Sequence, residues 1–304
     1  MEIIMVQKRS ISGTIFDILN HLLMAFLAVA CVFPFIHVIA LSLSSNAAIE
    51  GGVVGIWPVQ FQTNAYEYVL REKAFWTAFG TTLKRLAMVV PYQLLMTLLM
   101  AYPLSRPSNR FYGRSVYVVF LIFCGMFGGG LIPTYMLYAE LGLINNMWVF
   151  VIPGAVKTGY ILLVMNFIRG LPNDLFDAAH IDGATEMRTL FSIVMPLLKP
   201  SIATITLYLV VGNWNDYFSG MVYMNSAKNY PLSTYIYNLI QLTKELTGNA
   251  LGENANEDWQ LMASLNGKSI ESAQIVISIL PILMIYPLLQ KHFVKGIVLG
   301  SVKG

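Results

Sequence analysis

Six apolar stretches, each close to the roughly 18–20 residues a helix needs to cross a bilayer, limit what this chain can fold into. They fall at about 18–43, 86–104, 116–137, 147–168, 202–224 and 273–289. Inside lipid the backbone must satisfy its own hydrogen bonds, which leaves helices or a closed barrel. The runs are continuous and lack the two-residue alternation of barrel strands. The expectation is an all-α membrane protein of six transmembrane helices, forming one domain over 1–304. Composition agrees, with 56% hydrophobic and 12% charged residues, against about 25% charged in a typical soluble domain.

Loop charges set the orientation. With both termini inside, the inner segments hold Lys8, Arg9, Arg106, Arg110, Arg114, Arg169, Arg188, Lys199, Lys291, Lys295 and Lys303. Outside remain Arg71, Lys73, Lys228, Lys244 and Lys268, as the positive-inside rule requires. Lys84 and Arg85, placed at the outer end of the second span, run against that rule. The first span reads as a retained helix and not a cleaved leader, because its apolar run continues past Cys31 to Leu41. The outer loops are 44–85 and 225–272, the latter rich in Asn, Glu and Asp. Gly128-Gly129-Gly130 followed by Pro133 predicts a bend or unwinding in the third span.

The inner loop 171–200 is the most informative segment. Asn173 suits an N-cap and Asp174 a first helical turn. Gly183 then interrupts, and Thr185 to Met195 read as a second helix bounded by Pro196 and Pro200. A solvated connector has no use for Phe176, Ala179, Ile181, Ala184, Leu190 and Phe191. These side chains pack either on the chain's own helix ends or on a partner.

This loop resembles the EAA motif of ABC importer permeases: roughly E-A-A, three residues, G, nine residues, I, one residue, L-P. Here Asp177-Ala178-Ala179 is followed in register by Gly183, Ile193 and Met195-Pro196. Asp177 stands where Glu is usual and Met195 where Leu is. Asp182-Gly183-Ala184, Pro200, the run Ala101 to Arg106, Gly129 to Pro133, and Trp214-Asn215 resemble the sugar-importing branch, in its LplC-like and maltose-permease-like subgroup.

The resemblance implies a type I ABC importer transmembrane domain in the bacterial cytoplasmic (inner) membrane. It implies a second related permease as heterodimeric partner, two ATPase subunits, and an extracytoplasmic solute-binding protein. Asp177, Ala178, Ala179, Asp182, Gly183 and Ala184 would form the ATPase-coupling surface. On the shorter arm of Asp177, an ion pair to the ATPase would be weaker or rearranged. ATP and Mg²⁺ would be bound by the ATPases, with no cofactor on this chain, and the pair of permeases would move a sugar or oligosaccharide by alternating access.

Ionisable groups inside spans mark functional sites or internal pairs. Lys157 in the fourth span is a candidate contact for an acidic sugar, or one half of a structural ion pair. Trp214, Asn215, Asp216 and Tyr217 in the fifth span suit sugar hydroxyls and ring faces, or equally a polar helix–helix contact. A secondary transporter or channel using Lys157 or Asp216 is the competing reading. His21, His37, His180 and His292 are scattered without metal-ligand spacing. Neither a P-loop, a GxSxG, nor a convincing acid pair occurs, so the chain itself is expected not to be an enzyme. Cys31 and Cys124 read as packing residues, and no basic run suggests nucleic acid.

Overall fold

A computed structural model describes residues 11–107, 110–248 and 267–300. Helices are the only regular secondary structure among these residues. In chain order the helices are α1 (Ile11–Ser42), α2 (Asn46–Glu50), α3 (Asn64–Arg71), α4 (Lys73–Ser105), α5 (Arg114–Met126), α6 (Leu131–Glu140), α7 (Trp148–Val151), α8 (Thr158–Arg169), α9 (Asn173–Ile181) and α10 (Glu186–Arg188). A π-helical turn, Thr189–Val194, leads into α11 (Met195–Leu197). Then come α12 (Lys199–Asn215), α13 (Phe218–Tyr223), a 3-10 turn at Ala227–Asn229, α14 (Leu232–Gly248) and α15 (Gly267–Gly300). Residues 249–266 of the long outer loop lie outside the described residues, as do Lys8, Arg9 and Lys303.

The chain divides into two compact units. The first joins Met1–Arg71 to Thr243–Ile277. Its helix α1 is mostly apolar, and none of its most hydropathic stretch is buried. In water such a surface would aggregate, whereas in lipid it is ordinary. A small core of Ala40, Ala48, Ile49 and Val54 anchors its end. The Ser45 hydroxyl caps α2 by accepting from the Ala48 amide at 3.3 Å.

The second unit, Glu72–Leu242 with Ser278–Gly304, holds the larger core. Here α4 packs along α8 and α12. On α8 the buried stripe is Ile161, Val164, Met165 and Ile168, the i, i+3, i+4, i+7 spacing of one helix face. On α4 polar side chains share the buried face with Phe75, Val89 and Leu98. Thr82, Arg85, Gln93 and Thr97 are buried, while Trp76, Leu83 and Leu95 are exposed. Polar groups inside and apolar groups outside are what a helix in lipid requires.

Several expected spans are broken where the sequence placed single helices. Only α1, over Ser12–Ser42, and α4 are each long and apolar enough to cross a membrane among the described residues. The pair α5 and α6 meets at 107° across the three glycines, with Gly130 at φ 82, as the Gly-Pro pattern predicted. The fourth span is α7 and α8, separated by a non-helical stretch that contains Pro153 and Gly154. Proline disfavours helix in the residue before it. The fifth span breaks at Asp216, between α12 and α13. The last expected span lies within α15.

Candidate functional site

The inner loop folds as a helix, a glycine bend and a second helix. Asn173 is the first residue of α9 and not its cap. Pro172 takes the cap position with φ −57 and ψ 136, because its ring already fixes the angle that helix entry needs. At the far end the Gly183 amide donates to the His180 carbonyl at 3.1 Å and the Ala184 amide to the Ala179 carbonyl at 2.9 Å. That is a Schellman closure, with Gly183 left-handed at φ 69. A Cβ on Gly183 would meet nothing within 4 Å, so within this chain the glycine is required by conformation and not by crowding. The second helix runs on through Pro196 to Leu197, because a π-helical turn precedes the proline.

α9 has an inner and an outer face. Phe176 and Ala179 turn into the chain's own core, while Asp177, Ala178, Ile181, Asp182 and Gly183 are exposed. Ala184 is half-buried. The loop is clamped to the segment after α4. The Arg110 guanidinium donates to Asp177 Oδ1 at 2.8 Å, so the motif acid already has a partner within the chain. Arg106 lies 4.0 Å over the Phe176 ring and donates to Glu186 Oε2 at 3.0 Å. The Tyr102 hydroxyl donates to that same carboxylate. It and Arg106 hold the Glu186 carboxyl below the usual range, the tyrosine hydrogen bond contributing most. Arg114 Nε donates to the Leu104 carbonyl at 2.7 Å, satisfying the end of α4.

The intramembrane residues are arranged otherwise than the sequence suggested. Arg85 is 2% exposed and is the partner of Asp216, at 2.5 Å. It also donates to the Asp216 carbonyl at 3.2 Å and to Asn213 Oδ1 at 3.3 Å, with its charge 4.1 Å over the Phe150 ring. Hence Arg85 is no loop charge, and its conflict with the positive-inside pattern disappears. Asp216 Oδ1 accepts from the Ser219 amide at 3.0 Å and so starts α13. Trp214 is buried, edge-on to Phe79. Asn215 and Tyr217 are exposed, and Tyr217 stacks on Tyr237 at 4.5 Å.

Lys157 stands in the cap position before α8, exposed and making no ion pair among the described residues. It is therefore not joined to Asp216, and it is not inside a continuous helix. Sequence reasoning missed Arg85, Tyr102 and Glu186 as members of these clusters. The one signal for Arg85 was its exception to the charge rule. No group of three or more His, Cys, Asp or Glu able to hold a metal occurs among the described residues.

Known proteins share this whole architecture. Residues 11–299 match the family described as binding-protein-dependent transport system inner membrane component. Protein LplC of Bacillus subtilis (strain 168) is 35% identical over 293 residues, 96% of each chain. The polygalacturonan/rhamnogalacturonan transport system permease protein YtcP of the same organism is 31% identical, over 95% of this chain and 99% of its own. A chain in the crystal structure of a bacterial ABC transporter involved in the import of the acidic polysaccharide alginate superposes with a TM-score of 0.83. It is 32% identical, and the match covers 95% of this chain and 100% of that one.

Proposed function

Because the chain belongs to the family of binding-protein-dependent transport system inner membrane components, we propose that it is one permease half of an ATP-driven saccharide importer. The observation that carries this reading is the loop built on α9 and Gly183. It projects Ala178, Ile181 and Asp182 outward, while Phe176 and Ala179 root it in the core. A rooted, rigid loop with a small-residue outer face can pass a push from a separate ATPase into α4. The partners of this reading are a second, related permease, two ATPase subunits that bind ATP and Mg²⁺, and an extracytoplasmic solute-binding protein. Both termini lie on the ATPase side, in the cytoplasm. This chain supplies no catalytic group; closure of the ATPase dimer rocks the two bundles between discrete inward-open and outward-open packings.

The cargo is an oligosaccharide, and an acidic one is favoured. Support comes from the relatives that serve polygalacturonan and alginate, and from Lys157, whose exposed ammonium lacks a countercharge among the described residues. A secondary transporter using Asp216 as an ion site fits less well, since Arg85 engages that carboxylate.

Co-purification with an ATPase and ATP-dependent uptake into vesicles test the proposal. Uptake that persists without any ATPase overturns it. The outer loop 225–272 is assigned to docking of the binding protein. Deleting 245–258 is expected to weaken docking and uptake together, and unchanged docking affinity would reduce the loop to a cover.

A further inference from the structure

The break between α12 and α13 leaves a cavity of about 230 Å³ within the second unit. Trp214, Asn215, Tyr217, Ser233, Tyr237 and, from α15, Ser278 line it, together with aliphatic side chains of α14. None of its lining residues is charged. The nearest carboxylate along the chain, Asp216, is drawn away by Arg85. The stacked rings of Tyr217 and Tyr237, 21° from parallel, form an aromatic wall. Its position is fixed by the Thr234 hydroxyl, which donates to the Tyr217 carbonyl at 2.9 Å. The Ser233 hydroxyl is buried and has no hydrogen-bond partner among the described residues. A buried hydroxyl left unpaired costs stability that a ligand donor or acceptor would restore.

We propose that this cavity is a subsite for a single sugar ring, read by its uncharged face. The inference rests on the saccharide-importer reading and deepens it. A pyranose presents a C–H face that packs on an aromatic ring and a rim of hydroxyls that donate and accept. The cavity offers aromatic rings, the amide of Asn215 and the hydroxyl of Ser233. It offers no cation, so a carboxylate placed here would lose its hydration without compensation. Its volume lies below the roughly 300–1,000 Å³ of sites that enclose drug-sized ligands, which suits one ring of a longer chain. Any preference for an acidic sugar is therefore set elsewhere, and this subsite treats a neutral ring and its uronate counterpart alike at the ring face.

The test uses the assembled importer in vesicles, with Cys31 and Cys124 replaced by Ser and Ser233→Cys as a reporter for maleimide labelling. The probes are galactotriose, trigalacturonate and a panel of other neutral and acidic trisaccharides. A transported trisaccharide is expected to slow labelling at least fivefold, while one that is not transported leaves it unchanged. Tyr237→Leu, in the native background, is expected to raise KM for uptake about tenfold, equally for neutral and acidic cargo, with kcat nearly preserved. Labelling that is indifferent to transported sugar, or a Tyr237→Leu defect confined to acidic cargo, overturns the subsite while leaving the importer intact. Failure to transport any saccharide in an ATP-dependent way overturns both readings.

Discussion

Arg85→Met removes a cation that is 2% exposed and leaves the Asp216 carboxylate with Ser219 in place of its countercharge. Breaking a buried ion pair from one side costs about 3–5 kcal/mol, because the surviving charge is stranded. The Asp216 side chain is 27% exposed, so some water reaches it, and the lower end, about 3 kcal/mol, is expected. Asp216→Asn strands the guanidinium instead. Arg85 is the more deeply buried partner, and its Nε already has no acceptor among the described residues, so this second variant is expected to be at least as costly. The double variant Arg85→Met/Asp216→Asn removes both charges and is expected to be milder than the sum of the singles by about 2 kcal/mol or more. The assay is a double-mutant cycle on reversible unfolding of the purified complex in mixed detergent micelles, with membrane yield as a second readout. Additivity within about 0.5 kcal/mol, or singles indistinguishable from the parent, would refute the argument that this pair holds the helix break in place.

Gly183→Asn, whose side chain tolerates the left-handed region, is expected to transport nearly as the parent, whereas Gly183→Val loses about 1–2 kcal/mol of backbone preference and most ATP-coupled uptake. Loss in both variants would instead mean that an ATPase side chain needs the space. Gly220→Ala drives a Cβ into the Thr234 hydroxyl and to 3.0 Å from Pro231, an overpacking of about 1–3 kcal/mol; partial rescue of unfolding midpoint by Thr234→Ala checks the cause. Lys157→Met is expected to impair uptake of trigalacturonate more than that of galactotriose, and equal impairment of both would remove the lysine from acid recognition.

Much of the fold was legible because lipid imposes simple demands. Long runs without charge can only be helices in a membrane, and Gly183 announced its bend because few other residues take φ 69 readily. What sequence could not supply was pairing at a distance. Arg85 and Asp216 are 131 residues apart, and each, taken alone, resembles a loop charge or an ion site. Their meeting depends on α4 and α12 packing together, and no local pattern encodes that. The helix breaks were present in the sequence as Pro153-Gly154 and the polar run Asn213 to Asp216. The overall hydropathy of each span concealed them, since a short unwound stretch inside protein hardly lowers the apolar average.

The same pairing logic changes how the motif acid is understood. Asp177 was expected to reach toward the ATPase, on a shorter arm than the usual Glu. In the structure it is held by Arg110, and both side chains remain about half exposed. An exposed pair of this kind contributes only about 0.2–1 kcal/mol, so it is weak enough to open when a competing cation arrives. Arg106 is different in kind: its side chain is 11% exposed and sits against Phe176 and Tyr102 while bound to Glu186. The loop thus has one exposed, exchangeable tie and one better-buried tie, through Arg106 against Phe176 and Tyr102, to the end of α4. A push on the outer face of α9 can alter the first while the second carries the motion into α4. From there the buried stripe through Gln93 and Arg85 reaches the broken fifth span.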